Sequence, residues 1–280
     1  MCMKFTKMHG LGNDFIVIDE REKQIKTDFI GLAKKLCDRH LGIGADGLIR
    51  VLPSKTGDYK MEIINSDGSV PEMCGNGIRC FAKFIYDNET KPKTEYKVET
   101  GAGILIPVLD VKNKNVTGIT VDMGEPILEP AKIPMVGYKE NLNQSIRVFG
   151  EEYIFTAVSM GNPHIVIFGV DLKNLELNEV GPDLENHKAF PARTNVHFVN
   201  IISRNEIRVR HWERGAGETL ACGTGACACV VAGVLGNKLE RVVTVHVPGG
   251  DLKIRWDEKT NHVFMQGPAE TVYSGELKGE

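Results

Sequence analysis

The chain has 280 residues, a length that suits one large domain or two domains of roughly 140 residues each. Its 34 lysine and arginine residues nearly balance its 37 aspartate and glutamate residues, and the formal charge of −3 argues against a nucleic-acid or acidic-membrane binder. The composition, with 42% hydrophobic residues, is typical of a globular protein with a buried core and excludes disorder as the main state.

The first half of the chain is predicted to consist of short strands and two helices. Residues 27–40 carry apolar side chains at helical spacing, with Thr27 as the predicted N-cap. A second apolar stripe at residues 78–85, directly after Cys74, predicts another helix. Short β-branched runs bounded by Gly, Asn or Asp predict strands at residues 14–19, 60–64, 96–100 and 104–110.

The second half is predicted to repeat this pattern. Residues 124–134 contain three prolines and are predicted to form the crossover between the halves. After Cys222, apolar residues at helical spacing predict a helix that matches the one after Cys74; these are Ala226, Val230, Val231 and Val234. A central helix among short strands, present twice, predicts an α+β fold with two similar units.

Four sequence matches at nearly one offset indicate an internal duplication. Each segment of the first half recurs 148 or 149 residues later. The matching pairs are residues 13–18 with 162–167, 47–51 with 195–199, 74–77 with 222–225, and 101–106 with 249–254. One such match is expected by chance in a glycine-rich sequence, but four in the same order are not. We therefore expect two domains of the same topology, related by a pseudo-two-fold axis.

Each repeated cysteine, Cys74 and Cys222, lies where a glycine turn is predicted to open into a helix. The first-turn amides of a helix lack intrahelical partners and carry the positive end of the helix dipole, so they stabilise a thiolate or bind a carboxylate. An ordinary thiol is only about 3% ionised at pH 7. We expect the helix terminus to lower the pKa of each thiol modestly.

If the two halves face each other across a cleft, the two thiols become partners for inverting a carbon that carries an acidic hydrogen. A thiolate removes the proton from one face and a thiol returns a proton to the other, with the roles exchanged in the reverse direction. The amides of Gly75, Asn76, Gly223 and Thr224 are expected to hold the substrate carboxylate as negative charge develops on it. A packing role would explain either cysteine alone, but packing gives little reason to repeat the tetrapeptide.

The other five cysteines are not expected to take part in chemistry. Cys37, Cys80, Cys227 and Cys229 fall on apolar helical faces, and Cys2 is expected to be an exposed terminal thiol. Their spacing lacks a metal-finger pattern, so no metal site is predicted. An odd number of cysteines does not make a disulfide framework, and there is neither an apolar signal segment nor a run long enough to span a membrane. These features favour the reducing cytoplasm.

Polar residues occupy equivalent positions around the predicted cleft. The equivalent pairs are Asn65 and Glu213, Asn13 and Asn162, and Gly47 and Asn195. Asparagine offers donors and an acceptor without a charge, and Glu213 with Arg214 adds one group of each sign for a zwitterionic ligand. A single asparagine at a strand end is usually a turn residue, however. His164 fits a buried loop position as well as a position beside a thiol.

Several motifs resemble those of the diaminopimelate epimerase family. The most specific is residues 65–69 (NSDGS), followed after four residues by residues 74–79 (CGNGIR). Other similar blocks are residues 9–15 (HGLGNDF), 160–164 (MGNPH) and 213–219 (ERGAGET). The resemblance runs from residue 4 to residue 275 and so covers essentially the whole chain.

The resemblance implies both a fold and an activity. Members of this family are isomerases that, without pyridoxal phosphate or another cofactor, interconvert LL- and meso-2,6-diaminopimelate in lysine and peptidoglycan-precursor biosynthesis. The implied fold is α+β, with two pseudo-symmetric domains that each form a barrel-like, mostly antiparallel sheet around a central helix. The implied domains are residues 1–120 with 267–280, and residues 121–266. The family also suggests a homodimer, with no nucleic-acid or membrane partner.

Carried over to matching positions, the resemblance implies that Cys74 and Cys222 are the acid and base, and that His164 and Glu213 poise the thiols. The residues implied to contact substrate are Asn13, Asn65, Gly75, Asn76, Asn162, Asn195, Glu213, Arg214, Gly223 and Thr224. One position departs from the pattern. Some members carry glutamine where this chain has Gly47, so any contact there would have to come from the backbone.

Other functions compete with this one. A proline or hydroxyproline racemase would share the fold and the pair of cysteines, but the asparagines and the Glu213–Arg214 pair favour a substrate with a second amino-acid head. A thiol–disulfide protein is disfavoured because no Cys-x-x-Cys pair occurs, although a Cys74–Cys222 disulfide would be an oxidised, inactive form. A non-catalytic binding module is expected to lose one or both thiols. A nucleotide-binding protein is disfavoured because the sequence lacks the glycines and the lysine of a phosphate-binding loop.

Overall fold

The computed structural model describes residues 3–277; Cys2, expected from the sequence to be an exposed thiol, lies outside them. The described chain divides into two compact units. Unit 1 contains the residues up to Asp122 and those from Gln266 onward, and unit 2 runs from Met123 to Met265. The chain therefore leaves unit 1 after its first half and returns to it with its last strand.

Strands predominate in both units. The helices are α1 (Phe29–Cys37), α2 (Gly75–Asn88), α3 (Leu177–Glu185) and α4 (Gly223–Leu235), with a 3₁₀ turn at Pro130–Lys132. The strands are β1 (Met3–Gly10), β2 (Asn13–Asp19), β3 (Gly47–Pro53), β4 (Tyr59–Asn65), β5 (Val98–Thr100), β6 (Gly103–Leu105), β7 (Val108–Lys112), β8 (Asn115–Asp122), β9 (Gln144–Val148), β10 (Glu151–Ser159), β11 (Pro163–Phe168), β12 (Asn195–Ser203), β13 (Glu206–Glu213), β14 (Gly217–Thr219), β15 (Val242–Val247), β16 (Gly250–Trp256), β17 (Val263–Gly267) and β18 (Glu270–Leu277).

In unit 1 the strands pair in the order β18-β1-β2-β3-β4-β5-β6, and β7 pairs with β8 as a hairpin. A two-residue turn joins β1 to β2, and its residues Leu11 and Gly12 both have positive φ (58° and 88°), as a type I′ turn requires. Strands β2 and β3 run parallel, with Phe15 opposite Gly47. Helix α2 packs against β1, β2, β3, β4 and β8, and its Phe81 is completely buried.

In unit 2 the strands pair in the order β17-β16-β15-β13-β12-β11-β10-β9, and β14 pairs with β13. Strands β11 and β12 run parallel, with His164 opposite Asn195. These residues follow Phe15 and Gly47 of unit 1 by 149 and 148 positions, so the duplicated sequence keeps the same register. Helix α4 packs against β10, β11, β12 and β16.

The two units repeat one connectivity. The successive pairings of β1 to β6 alternate between antiparallel and parallel, and the same alternation recurs from β10 through β11, β12, β13 and β15 to β16. The predicted α+β fold, with two pseudo-symmetric, sheet-rich halves that each contain a central helix, is confirmed. The matching pairings also confirm the predicted duplication.

Helix α1 differs from its prediction at both ends. The predicted N-cap Thr27 is wrong, because the helix begins after Asp28, whose Oδ1 accepts from the amides two and three residues later at 3.1 Å each. A carboxylate is favoured there by both capping and the helix dipole. The helix ends at Cys37 rather than residue 40, since the Asp38 carboxylate accepts from two following amides at 2.8 and 2.7 Å and turns the chain.

The predicted strands are mostly present, with two changes. Residues 14–19 and 60–64 lie within β2 and β4, as predicted. Residues 104–110 form two strands, β6 and β7, rather than one, because Pro107 between them has no N–H to donate to a ladder. The strand predicted at residues 96–100 is shorter and begins at Val98, the first residue that pairs with β4.

Each unit has its own apolar core. Ile16, Leu48 and Ala33 are completely buried in unit 1, as are Phe198 and Val196 in unit 2. The cysteines predicted to be core residues are at most 3% exposed, which confirms that prediction; they are Cys37, Cys80, Cys227 and Cys229. No helix within residues 3–277 is long and apolar enough to cross a membrane.

Candidate active site

Cys74 is the N-cap residue of helix α2, which confirms its predicted place at a helix start. Its backbone is extended (φ −140°, ψ 119°), and the Gly77 amide donates to its Sγ at 3.4 Å. The first turn of the helix therefore directs an N–H group at the sulfur. The side chain is half-buried. This is the environment in which a helix terminus stabilises a thiolate.

Asn13 connects Cys74 to the neighbouring strand. It is the first residue of β2, directly after the type I′ turn. Its Oδ1 accepts hydrogen bonds from Cys74 Sγ at 3.7 Å and from Asn76 Nδ2 at 3.2 Å. Three of the predicted site residues thus form one cluster at the start of α2.

A group of charged side chains holds the amide nitrogen of Asn13 in place. Asp46 Oδ2 accepts from Asn13 Nδ2 at 2.8 Å and from the Asp14 amide at 3.1 Å. Arg39 pairs with both carboxylates, and Lys7 Nζ lies 2.6 Å from Asp14 Oδ2. Burial raises the pKa of Asp14, but hydrogen bonds from Arg39 and Lys7 outweigh it and hold that pKa below its ordinary value. Sequence reasoning gave none of these charged residues a role, and of the four only Asp14 lies in a repeated segment.

Asn65 and Gly47 lie opposite each other on β4 and β3. Asn65 Nδ2 donates to Ser69 Oγ at 2.9 Å, so the side chain already stabilises the turn that follows β4. Its predicted contact with substrate remains a prediction. A Cβ added at Gly47 would lie 3.0 Å from the carbonyl oxygen of Ile64, so the neighbouring strand would have to shift to admit a larger residue.

Cys222 is the N-cap residue of helix α4, again as predicted and with the same extended backbone (φ −118°, ψ 108°). Its Sγ lies 3.7 Å from Thr224 Oγ1 and is hydrogen-bonded to the Glu213 carboxylate. The Thr219 hydroxyl donates to Glu213 Oε1 at 2.6 Å and so holds that carboxylate in place. A thiol and a carboxylate that can share a proton are therefore adjacent at the start of α4.

The pKa of the Cys222 thiol is raised well above its ordinary value, opposite to the expected direction. Burial is the largest cause, because the residue is only 3% exposed, and the negative charge of Glu213 adds to it. Hydrogen bonds from Thr224 and the Gly225 amide lower the pKa but are outweighed. The expected lowering is therefore wrong for Cys222, since desolvation exceeds the effect of the helix terminus. At pH 7 this side chain is a protonated thiol.

Asn195 and Arg214 are linked to each other. Asn195 Nδ2 donates to the carbonyl oxygen of Pro163 at 2.8 Å, and its Oδ1 accepts from the Arg214 amide at 2.9 Å. Asn195 is buried, so it ties β11, β12 and the turn after β13 together. The Arg214 side chain is exposed and donates through Nη1 to the carbonyl oxygen of Ala192 at 2.9 Å. Contact of either residue with substrate remains a prediction.

Glu185, a buried acid at the end of α3, holds the same turn and was missed by sequence reasoning. Its Oε2 accepts from Trp212 Nε1 at 2.8 Å. Its Oε1 accepts from the Gly215 amide at 3.0 Å and from Arg193 Nη1 at 3.1 Å. These bonds fix both sides of the turn at residues 213–217. Glu185 belongs to no repeated segment, so the sequence contained no signal for it.

His164 is completely buried, and both of its ring nitrogens are hydrogen-bonded. Nε2 lies 2.8 Å from Asn162 Oδ1, and Nδ1 lies 2.8 Å from His197 Nε2. Burial lowers the pKa of His164 to about 3, with smaller contributions from His211 and Arg214, so the ring is neutral at pH 7. Its hydrogen bonds run to an asparagine and a second histidine.

Some of the predicted site residues lie together at the starts of the two central helices, namely Asn13 and Asn76 beside Cys74, and Glu213 and Thr224 beside Cys222. Gly75 and Gly223 are the buried first residues of those helices. None of the six cysteines in the described part of the chain forms a disulfide. Within the same residues, no group of three or more His, Cys, Asp or Glu side chains is arranged to hold a metal ion.

A comparison with known proteins places this chain in a family. The family model described as diaminopimelate epimerase matches residues 5–129 and 156–272. The chain is 54% identical over 276 residues to a diaminopimelate epimerase of Pelotomaculum thermopropionicum, covering 98% of each chain. It is 51% identical over 276 residues to a diaminopimelate epimerase of Moorella thermoacetica, covering 98% of this chain and 99% of the relative.

Solved structures show the same fold. A phenazine biosynthesis protein of the PhzF family from Bacillus anthracis superposes with a TM-score of 0.71 at 16% identity, covering 99% of both chains. An identity this low bears on the fold alone. The two diaminopimelate epimerases, in contrast, are 51% and 54% identical to this chain over nearly its entire sequence. The chain belongs to the diaminopimelate epimerase family.

Proposed function

We propose that this protein is a diaminopimelate epimerase, an isomerase that interconverts LL- and meso-2,6-diaminopimelate in the biosynthesis of lysine and peptidoglycan precursors. Family membership over nearly the whole chain supports this activity. The observation that carries the mechanism is the repeated cysteine N-cap, Cys74 before α2 and Cys222 before α4.

The proposed reaction moves protons through these two thiols. One thiolate removes the α-hydrogen as a proton, and the electron pair of the broken C–H bond is delocalised over the substrate carboxylate. The other thiol donates its proton to the opposite face of the same carbon, which inverts the centre. The two sulfurs have then exchanged protonation states, so the reverse reaction uses them in opposite roles. These steps need no cofactor.

Cys222 is proposed to start as a thiol, whereas Cys74 has a hydrogen-bond partner for either protonation state. Burial and Glu213 raise the pKa of Cys222, so it enters as the thiol. When Cys222 has to act as the base, Glu213 accepts its proton through the hydrogen bond that already joins them. The Gly77 amide donates to the sulfur of Cys74, which suits a thiolate, and Asn13 Oδ1 accepts from the same sulfur at 3.7 Å, which suits a thiol, so Cys74 can take either role.

The charge that develops on the substrate carboxylate is proposed to be held at the helix starts. The first-turn amides of α2 and α4 have no intrahelical acceptor and can donate to an anion without reorganising. The residues proposed to supply this contact are Gly75, Asn76, Gly223 and Thr224.

The polar residues of both units are proposed to recognise the two amino-acid heads of diaminopimelate. These residues are Asn13, Asn65, Asn162, Asn195, Glu213 and Arg214. A guanidinium binds a carboxylate through two parallel hydrogen bonds, so the exposed Arg214 suits the second carboxylate, which proline lacks. His164, whose Nε2 is hydrogen-bonded to Asn162, is proposed to position that amide.

We further propose that the two units are the two epimerase domains, and that the protein works in the cytoplasm as a homodimer. Its partner is the small-molecule substrate rather than nucleic acid or a membrane, in keeping with a net charge of −3. Light scattering of the purified protein tests the homodimer: a single species with twice the mass of the chain is expected, and a monomer at micromolar concentration contradicts it.

Epimerisation in deuterated water tests the activity and the mechanism together. The wild type is expected to convert each isomer into the other and to place deuterium on the inverted α-carbon, as measured by chiral chromatography and mass spectrometry. Cys74→Ala and Cys222→Ala are each expected to lose interconversion by about 10³-fold, because each lacks one of the two proton-transfer groups. Each variant retains one thiol, so each can exchange the α-hydrogen of one isomer only, and the two variants exchange opposite isomers.

Cys37→Ala is the matched control, since it removes a buried cysteine that lies outside both motifs. It is expected to keep the wild-type rate. Interconversion at the wild-type rate by either Cys74→Ala or Cys222→Ala would rule out the two-thiol mechanism.

A substrate panel tests the competing racemase function. Proline and hydroxyproline are expected to remain unchanged, because they lack the second amino-acid head. Rapid proline racemisation without turnover of diaminopimelate would contradict the proposed substrate while leaving the two-thiol chemistry in place.

A further inference from the structure

A chain of three buried histidines crosses the sheet of unit 2. His164 on β11, His197 on β12 and His211 on β13 lie on three adjacent strands, and none of them is exposed to solvent. His197 lies directly opposite His211 in the antiparallel pairing of β12 and β13. Polar rings in this position lose their hydration, so each requires a compensating hydrogen bond.

The compensating hydrogen bonds form a continuous line that begins at Asn162. Asn162 Oδ1 lies 2.8 Å from His164 Nε2, and His164 Nδ1 lies 2.8 Å from His197 Nε2. His197 Nδ1 lies 2.7 Å from His211 Nδ1. The line ends in the core, where His211 Nε2 has no hydrogen-bond partner among the described residues. Its other end, Asn162, is half-buried.

Each ring in the line is neutral. Burial lowers the pKa of His164 and of His211 to about 3, and it lowers the pKa of His197 well below its ordinary value. A neutral imidazole carries one N–H and one acceptor nitrogen. The three rings must therefore all donate in the same direction, either toward Asn162 Oδ1, or away from Asn162 if its amide is turned so that the nitrogen faces His164.

The buried end of the line selects the direction. If the rings donate toward Asn162, His211 Nε2 is an acceptor that carries only a lone pair. If they donate away from it, His211 Nε2 carries a buried N–H with no acceptor, a rarer and costlier arrangement. Donation toward Asn162 places a hydrogen on His164 Nε2, where it bonds to Asn162 Oδ1. The atom of Asn162 left for a ligand is then its amide nitrogen, a donor.

Unit 1 shows that the fold does not need this polar line. Its equivalent positions, 149, 148 and 148 residues earlier, are Phe15, Ile49 and Ile63. All three side chains are buried and apolar, with exposures of 2%, 0% and 3%. Apolar side chains in unit 1 thus occupy the positions that histidines occupy in unit 2. Burying them does not require a polar group to lose its hydration.

We propose that His197 and His211 are positioning residues that act through His164 to hold Asn162 with its amide nitrogen presented to an anionic group of the substrate. The identity of that substrate rests on the proposed function. His197 has a second contact in the site: a Cβ added at Gly225 would lie 2.4 Å from His197 Cε1, so the ring packs directly under the first turn of α4. The same ring therefore supports both Asn162 and the helix that begins after Cys222.

Nitrogen-15 NMR of the histidine side chains tests the line itself in the substrate-free protein. The expected tautomers carry hydrogen on Nε2 of His164, Nε2 of His197 and Nδ1 of His211, and signals are assigned by their loss in single-histidine variants. A His164 ring with its hydrogen on Nδ1, or a charged ring at pH 7, would overturn the proposed direction.

A double-mutant cycle tests the connection to Asn162. His197→Phe is expected to lower kcat/KM for meso-diaminopimelate about tenfold, the effect of one misplaced hydrogen bond to a charged group. In the Asn162→Ala background the same change is expected to have no further effect, because His197 acts through Asn162. Losses that multiply in the double variant would assign His197 a merely structural role and overturn the proposal.

Two further variants separate positioning from folding. His197→Gln keeps one donor and one acceptor and is expected to restore most of the lost kcat/KM. Val199→Ala, a buried change on the same strand, is expected to lower the melting temperature without changing kcat/KM. If His197→Phe does not fold, His211→Phe enters the same cycle. A wild type without epimerase activity would refute the proposed function. The tautomers measured by NMR would still show whether the three histidines are hydrogen-bonded in the proposed direction.

Discussion

Asn13 donates through its amide nitrogen to Asp46 Oδ2 across 2.8 Å, whereas the equivalent Asn162 is held by its carbonyl oxygen, 2.8 Å from His164 Nε2. The two asparagines recur at an offset of 149 residues but are fixed by opposite ends of their amides. Asn13 has its oxygen toward Cys74, and the amide nitrogen of Asn162 is the atom proposed to meet an anionic group of the substrate. The duplication has thus produced an acceptor and a donor, which suits a substrate with both ammonium and carboxylate groups.

The orientation of Asn13 is expected to depend on Asp46. Asp46→Asn removes the carboxylate that accepts from the Asn13 amide, so that amide can rotate, and kcat/KM is expected to fall about tenfold. Steady-state kinetics measure this change. Asp19→Asn, which removes an exposed carboxylate paired with Arg21 in the same unit, is the control and should leave kcat/KM unchanged. Wild-type kinetics for Asp46→Asn would show that Asp46 does not orient Asn13.

Asp14 is expected to make stability depend on pH. Because its pKa in the folded protein is lowered, its contribution is complete above the unfolded pKa of about 3.9 and is lost as pH falls through the folded pKa. Asp14→Asn is therefore expected to lower the free energy of unfolding by about 2 kcal/mol at pH 7. The difference from wild type should shrink as pH falls below about 4.

Urea denaturation at several pH values measures this difference. Asp87→Asn, which breaks an exposed helical ion pair with Lys83, is the control and should have a much smaller effect. A difference for Asp14→Asn that stays constant between neutral and acidic pH contradicts the assignment.

Glu213 is expected to suppress the reactivity of Cys222. Glu213→Gln removes the negative charge that raises the pKa of the thiol, so the thiolate fraction rises. Alkylation of Cys222 by iodoacetamide at pH 8, followed by peptide mass spectrometry, should become several-fold faster. Epimerisation should instead fall about 10²-fold, because the proton acceptor is lost. Glu218→Gln, which removes a neighbouring carboxylate paired with Arg210, is the control and should change neither rate. Slower alkylation of Cys222 in Glu213→Gln would refute the role of Glu213 in raising the pKa of the thiol.

Gly225 and Gly77 are the third residues of their helices but pack against different neighbours. A Cβ at Gly225 would lie 2.4 Å from the His197 ring, and one at Gly77 would lie 2.9 Å from the flexible end of Ile63. Gly225→Ala is expected to lower the free energy of unfolding by about 2 kcal/mol through overpacking. Gly77→Ala should cost less, since its Cβ meets the flexible end of a side chain, whereas the gain in helix propensity of about 1 kcal/mol is the same at both positions. Chemical denaturation compares the two, and a larger loss at Gly77 contradicts the argument.

The sequence by itself determined the duplication, the α+β class and the two helices that begin after Cys74 and Cys222. These features depend on short segments: apolar spacing, glycine turns and motifs repeated at a constant offset. Local physics also explains where the prediction of boundaries was wrong. The Asp28 carboxylate caps α1 better than the Thr27 hydroxyl, and Pro107 divides a strand that its β-branched neighbours favour.

Only the tertiary structure decided how the site side chains are held and charged. The pKa of Cys222 is raised because folding removes the thiol from water and sets Glu213 beside it, and neither effect follows from a helix start. Glu185, Asp46 and the histidine line act on residues that are distant in sequence. Desolvation and hydrogen bonding depend on which groups share a volume, and strands from separate segments create that volume only when the sheets form.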